Sequence, residues 1–154
     1  MLQIVSDSYS YAGDWSSRIK TGPLLQGSSS EASLQDDSKV LVVDDEELIT
    51  ETLREILRRA GFDVQIASDG WAALEVVPIF RPHYLLTDVL MPRMNGVELA
   101  IAVRKMFPET RIILFSGQAG ISEILLNGQR QGFQFELLPK PMHPLKLIER
   151  LKGS

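Results

Sequence analysis

Lys39-Val40-Leu41-Val42-Val43-Asp44-Asp45-Glu46 is an apolar run that breaks into acids, and its reading decides the fold. Val40 to Val43 shows no polar alternation, which predicts a strand buried on both faces and therefore a parallel sheet under helices. Leu48, Ile49, Leu53, Ile56 and Leu57 then recur at helical spacing until Gly61. The same unit repeats downstream. Strands are expected at Phe62 to Ala67, His83 to Thr87, Arg111 to Phe115 and Phe133 to Leu138. Helices are expected from Gly70 toward Pro82, from Gly96 to Met106, weakly over residues 121–130, and from Pro144 to Leu151. Five strand–helix units with right-handed crossovers make an α/β fold, a doubly wound five-stranded parallel sheet with helices on both faces.

In such sheets ligands bind at the carboxyl ends of the strands. Strand one ends in Asp44-Asp45-Glu46, strand three in Asp88, strand four in Ser116, and strand five runs to Lys140. Three carboxylates on one rim repel each other unless a cation intervenes. Mg²⁺ accepts one or two carboxylates, a carbonyl and waters. A lysine adds a fixed positive charge for an anionic ligand, and a serine hydroxyl can donate to an incoming oxygen. Such a set suits a phosphoryl group carried on a carboxylate.

Val42-Val43-Asp44-Asp45-Glu46, Thr87-Asp88-Val89-Leu90-Met91-Pro92-Arg93-Met94-Asn95-Gly96, Phe115-Ser116-Gly117 and Lys140-Pro141 resemble the receiver domains of two-component response regulators. The resemblance covers residues 39–152. It implies the flavodoxin-like receiver fold with strand order 2-1-3-4-5, and a phosphorelay function. Asp88 matches the phospho-accepting aspartate. Asp45, the Asp88 carboxylate and the Leu90 backbone carbonyl match the direct Mg²⁺ ligands, and Asp44 would help hold the metal through water. Ser116 matches the hydroxyl that engages the phosphoryl group, and Lys140 the lysine that pairs with it, with a cis bond to Pro141. The implied partners are a histidine kinase or histidine phosphotransfer protein and an output protein of unidentified kind. The chain departs from the family pattern at Leu137, where an aromatic is usual, and at Pro139, directly before the lysine.

Other readings compete. Asp44-Asp45 alone would serve as a helix N-cap, and Ser116-Gly117 as a turn. Glu46 reads as a solvated first-turn residue, Trp71 as a packing residue and Arg54, Arg58 and Arg59 as a solvated helix face; His83 and His143 lack ligand-spaced partners. A pseudo-receiver that binds a partner without phosphorylation is the principal alternative function. An aspartyl-phosphate hydrolase would need a second acid two residues past the nucleophile, where this chain has Leu90.

Composition frames these expectations. With 154 residues, 44% apolar and 23% charged, the chain has enough material for one globular domain. A net charge of −4 argues against nucleic-acid binding, and zero cysteines exclude disulfides and thiolate sites. No basic leader or membrane-length apolar run is evident, so a cytoplasmic chain without membrane contact is expected. Residues 1–38 hold ten serines and three glycines and read as a flexible tail, with residues 39–154 as the receiver domain.

Overall fold

The computed structural model describes residues 38–117 and 121–153. The expected tail, apart from Ser38, lies outside the described residues.

Strands and helices alternate in the order β1 (Lys39–Val43), α1 (Glu47–Arg59), β2 (Asp63–Ala67), α2 (Gly70–Phe80), β3 (Tyr84–Asp88), α3 (Gly96–Met106), β4 (Arg111–Ser116), α4 (Ser122–Arg130), β5 (Glu136–Pro139) and α5 (Pro144–Lys152). All pairings are parallel and the sheet order is β2-β1-β3-β4-β5, as expected. Val43 pairs with Ala67 on one side and Thr87 on the other, while Asp88 pairs with Phe115 and Ser116 with Pro139, so the candidate residues share one rim.

The pleat sends successive strand residues to opposite cores. Leu41, Val43, Leu85, Ile112 and Leu114 meet Val77 of α2 and Leu99 and Val103 of α3 on one face. Val40, Val42, Leu86, Ile113 and Phe115 meet Leu57 of α1 and Leu147 and Leu151 of α5 on the other. That two-sided burial is why the central strands carry no polar alternation. Tyr84 Oη crosses the second core's edge to donate to Leu151 O at 2.9 Å. Tyr84→Phe is expected to cost about 1 kcal/mol by leaving that carbonyl short of a partner. Urea unfolding would read this as a lower midpoint at unchanged slope.

Several local expectations need correction. β3 begins and ends one residue later than expected, at Tyr84 and Asp88, because His83 N is drawn to Lys39 O and its ring Nδ1 accepts from Lys39 N. β5 starts at Glu136 rather than Phe133. Gly132 turns the chain with φ 91°, and Phe133 N caps the end of α4 by donating to Gly128 O at 3.0 Å. Phe133 and Phe135 then stack with centroids 6.1 Å apart, against the first core. Leu137 therefore shares no strand face with them, and it is exposed. Glu136 instead anchors the start of β5 by bridging Arg111 and Arg150. Leu48 and Trp71, read as inward-facing, are 78% and 58% exposed. His143 caps α5, its Nδ1 accepting from Leu145 N at 3.2 Å.

Candidate functional site

The rim is made by strands stopping where their apolar runs stop. β1 ends at Val43, and Asp44, fully buried, turns the chain toward α1 with its Oδ1 accepting from Glu46 N at 2.9 Å. Asp44 is therefore not the helix cap. Glu46 occupies that position and makes no side-chain capping bond. Asp45 projects to solvent beside it. Asp88, 8% exposed, is the last residue of β3. One oxygen each from Asp44, Asp45 and Asp88 lies within 4.8 Å of the other two.

Lys140 reaches this cluster from the end of β5. Its Nζ donates to Asp44 Oδ2 at 2.8 Å and lies 3.5 Å from Asp88 Oδ2 and 3.9 Å from Glu46 Oε1. The ammonium also stands 5.2 Å from the Phe115 ring centroid. Its position is fixed by the backbone, since Lys140 N donates to Ser116 O at 3.1 Å. The bond to Pro141 is cis, as the resemblance implies. Gly117 lets β4 and Lys140 approach this closely, because a Cβ there would sit 3.1 Å from Lys140 Cβ. Ser116, buried at the end of β4, occupies the rim opposite Pro139.

The electrostatics match the crowding. Burial raises the Asp88 carboxyl above its ordinary value and the Asp44 charge raises it further, while Lys140 and a hydrogen bond from the Leu90 backbone pull it back. Burial works to lower the Lys140 ammonium, but its hydrogen bond to Asp44 and the charges of Asp44 and Asp88 prevail, and its pKa is raised.

The loop after β3 folds back tightly. Val89 N donates to Phe115 O, and Gly96 N donates to Val89 O at 2.7 Å. A Cβ on Gly96 would lie 2.0 Å from Asp88 O, so only glycine fits where α3 begins. Asn95 and Glu98 complete a capping box, a signal present in the sequence as Asn-x-x-Glu but not weighed there. Sequence reasoning also underrated Glu46, whose carboxylate faces Lys140 although it is largely exposed.

Asp44, Asp45, Asp88, Ser116 and Lys140 are thus at the rim, and the Leu90 backbone N–H donates to the Asp88 carboxylate. Three oxygen donors with no nitrogen or sulfur among them suit a hard divalent cation such as Mg²⁺. Beside the rim, Leu48, Ile49 and Ile56 of α1, with Met142 and Pro144 beyond Lys140, line an apolar groove of ≈ 570 Å³.

A doubly wound parallel sheet whose strand ends gather an acidic triad and a lysine defines a receiver-type α/β protein. The sequence model described as "Response regulator receiver domain" matches residues 40–152, and the chain belongs to that family. Response regulator MprA of Mycobacterium ulcerans is 34% identical over 115 residues, which are 75% of this chain and 49% of that protein. The chain spans about half the length of the curated relatives it matches. Among solved structures, the chemotaxis protein CheY4 of Vibrio cholerae aligns with a TM-score of 0.67 at 30% identity, covering 75% of this chain and 97% of that one. A response regulator receiver domain protein of Clostridium thermocellum aligns with a TM-score of 0.67 at 25% identity, over 75% and 92% of the two chains. Among the described residues, no helix is long and apolar enough to cross a membrane.

Proposed function

We propose that the chain is a phosphorelay receiver in which Asp88 accepts a phosphoryl group from a histidine kinase or histidine phosphotransfer protein and the changed surface then engages an output partner. The observation that carries this reading is Lys140 Nζ held between Asp44 and Asp88, 2.8 and 3.5 Å from their oxygens, with Asp45 completing the acidic cluster. Asp45, the Asp88 carboxylate and the Leu90 carbonyl would hold Mg²⁺, with Asp44 steadying it. When bound, the cation supplies positive charge that offsets the phosphoryl oxygens.

The chain's own residues do the rest. Asp88 Oδ attacks phosphorus, the phosphorus–nitrogen bond of phosphohistidine breaks, and its electron pair leaves on the imidazole ring, which is protonated. Lys140 is already beside Asp88 and can pair with a phosphoryl oxygen without a large rearrangement. Ser116, on the adjacent strand end, supplies a hydroxyl donor. The exposed Leu48 and the groove behind it border the rim and offer the phosphodonor an apolar footing.

Mg²⁺-dependent labelling by acetyl phosphate, located by mass spectrometry, tests the proposal. A single phosphorylated peptide containing Asp88 is expected. Absence of labelling together with absence of beryllofluoride binding would favour the pseudo-receiver. The aspartyl phosphate is expected to be long-lived, because the Leu90 side chain, two residues past Asp88, is apolar and cannot orient a hydrolytic water. Leu90→Asn is expected to accelerate dephosphorylation by about threefold or more, as positioning effects of this kind allow. Loss of label from purified phosphoprotein, freed of acetyl phosphate and kept in Mg²⁺, measures it, and an unchanged rate counts against the role of Leu90.

A further inference from the structure

The β3–α3 loop carries Leu90 past Asp88, and what seats that loop lies outside the acidic cluster. Arg93 NH2 donates to Asp69 Oδ2 at 2.8 Å. The other oxygen of the same carboxylate, Oδ1, accepts from Ala72 N at 2.8 Å and caps α2. One side chain thus serves the start of α2 and the middle of the loop at once. Next to it Met94 lies directly on Gly70, where a Cβ would stand 2.5 Å from Met94 Sδ and 2.9 Å from its Cγ. Arg93 itself holds φ 71°, a left-handed conformation that only glycine adopts freely, so its backbone needs holding. Met94 N closes the turn on Pro92 O at 2.7 Å. The loop is therefore fixed at Asp88, at the Gly96 contact, and midway on the start of α2.

We propose that Asp69 and Arg93 are positioning residues for the acidic site: their ion pair, with Met94 seated on Gly70, sets the course of the β3–α3 loop and so presents the Leu90 carbonyl to a divalent cation held by Asp44, Asp45 and Asp88. This inference rests on the reading of the site as one that binds Mg²⁺. Neither residue belongs to the carboxylate cluster. The ion pair is partly exposed, with side-chain exposures of 66% for Arg93 and 23% for Asp69, so its leverage is modest and comes through geometry.

Charge and position make opposite demands at Arg93. By field alone, Asp69→Asn removes an anion and weakens Mg²⁺ binding, whereas Arg93→Asn removes a cation and strengthens it. By positioning, both weaken it. Asparagine is chosen at both sites because it caps a helix as well as aspartate and tolerates positive φ. Calorimetric titration of the full chain with Mg²⁺ is expected to show each variant bound about two- to fivefold more weakly, the scale of a partly exposed pair. The double variant should be no worse than either single one, and Arg93→Lys should recover most of the affinity. In the metal-free protein, amide exchange at Leu90, Met91 and Arg93 should quicken in both asparagine variants, while melting temperatures stay within about 2 °C. No Mg²⁺ binding by the wild-type chain overturns the reading of the site and this inference with it. Wild-type binding with variant effects that are absent, of opposite sign or additive overturns the inference alone.

Discussion

Asp88→Asn is expected to erase Mg²⁺-dependent labelling by acetyl phosphate while making the metal-free protein more stable, not less. The two halves have one cause. Asp88 is the buried carboxylate at the end of β3, and the nucleophile is lost when an amide replaces it. In the metal-free fold its charged form is penalised by burial and by the neighbouring Asp44 carboxylate, so its pKa is raised. A raised pKa means that the protonated form suits the fold better than the unfolded chain. That contribution is fully present below the unfolded carboxylate range near ~3.9 and is lost as pH rises through the higher folded value. At neutral pH the ionised Asp88 is therefore a burden that Asn removes, and the gain should fade in acid, where the wild-type side chain is protonated in both states. Lys140 does not lose its anchor in this variant, because Asp44 holds it at 2.8 Å. Mg²⁺ should reverse the ranking, since by the proposed function the wild-type site would gain stability on binding the cation and the variant would lack a ligand. Thermal melts at pH 7 and pH 3, with and without Mg²⁺ at pH 7, would check this. Residual labelling of the variant, or a lower melting temperature in the metal-free protein at pH 7, would count against the assignment.

The rim was legible in the sequence because its residues lie where largely apolar strands stop. Val40 to Val43 announces burial on both faces, and the polar residues that end such a run emerge at a sheet edge. Asp44 and Lys140 directly follow β1 and β5, and Asp88 and Ser116 close β3 and β4. The helix at Gly96–Met106 was equally plain, bounded by Asn95-Gly96 and Pro108. The fifth strand was not. Phe133 and Phe135 have strand-like spacing, but spacing cannot say that Phe133 N will be spent on capping α4 at Gly128. Leu48 and Trp71 fail for a related reason. An apolar residue at helical spacing is counted inward until the neighbouring helices are in place, and among the described residues the first turns of α1 and α2 leave Leu48 and Trp71 exposed. The seat of the β3–α3 loop was also invisible, because Asp69 and Arg93 are 24 residues apart and each alone reads as a cap and a surface cation.

Lys140→Met is expected to produce the largest loss of fold stability of any single change at the rim, and one that Mg²⁺ partly repairs. Methionine keeps the length and most of the apolar stem but removes the charge. Asp44 is then a fully buried carboxylate without its 2.8 Å cation, beside Asp88 and Asp45. Removing one partner of a buried pair costs ~3–5 kcal/mol, because the other charge stays desolvated. Lys140 keeps 19% side-chain exposure, so water relieves part of that cost and the lower figure applies. At roughly 4 °C per kcal/mol for a domain of this size, the metal-free melting temperature should fall by ~10 °C. Lys140 has a raised pKa, so its contribution is complete below the unfolded lysine value near ~10.4 and disappears as pH climbs through the higher folded value. The gap between wild type and variant should therefore be steady through neutral pH and close only in strong alkali. Millimolar Mg²⁺ should narrow it, since a cation among the three carboxylates supplies the charge that the ammonium gave. Adding Asp44→Asn should restore much of the loss even without metal, because the buried charge goes with its partner. A fall of under 2 °C in the single variant, or a double variant weaker than Lys140→Met alone, would mean that Lys140 is not what balances the acidic rim.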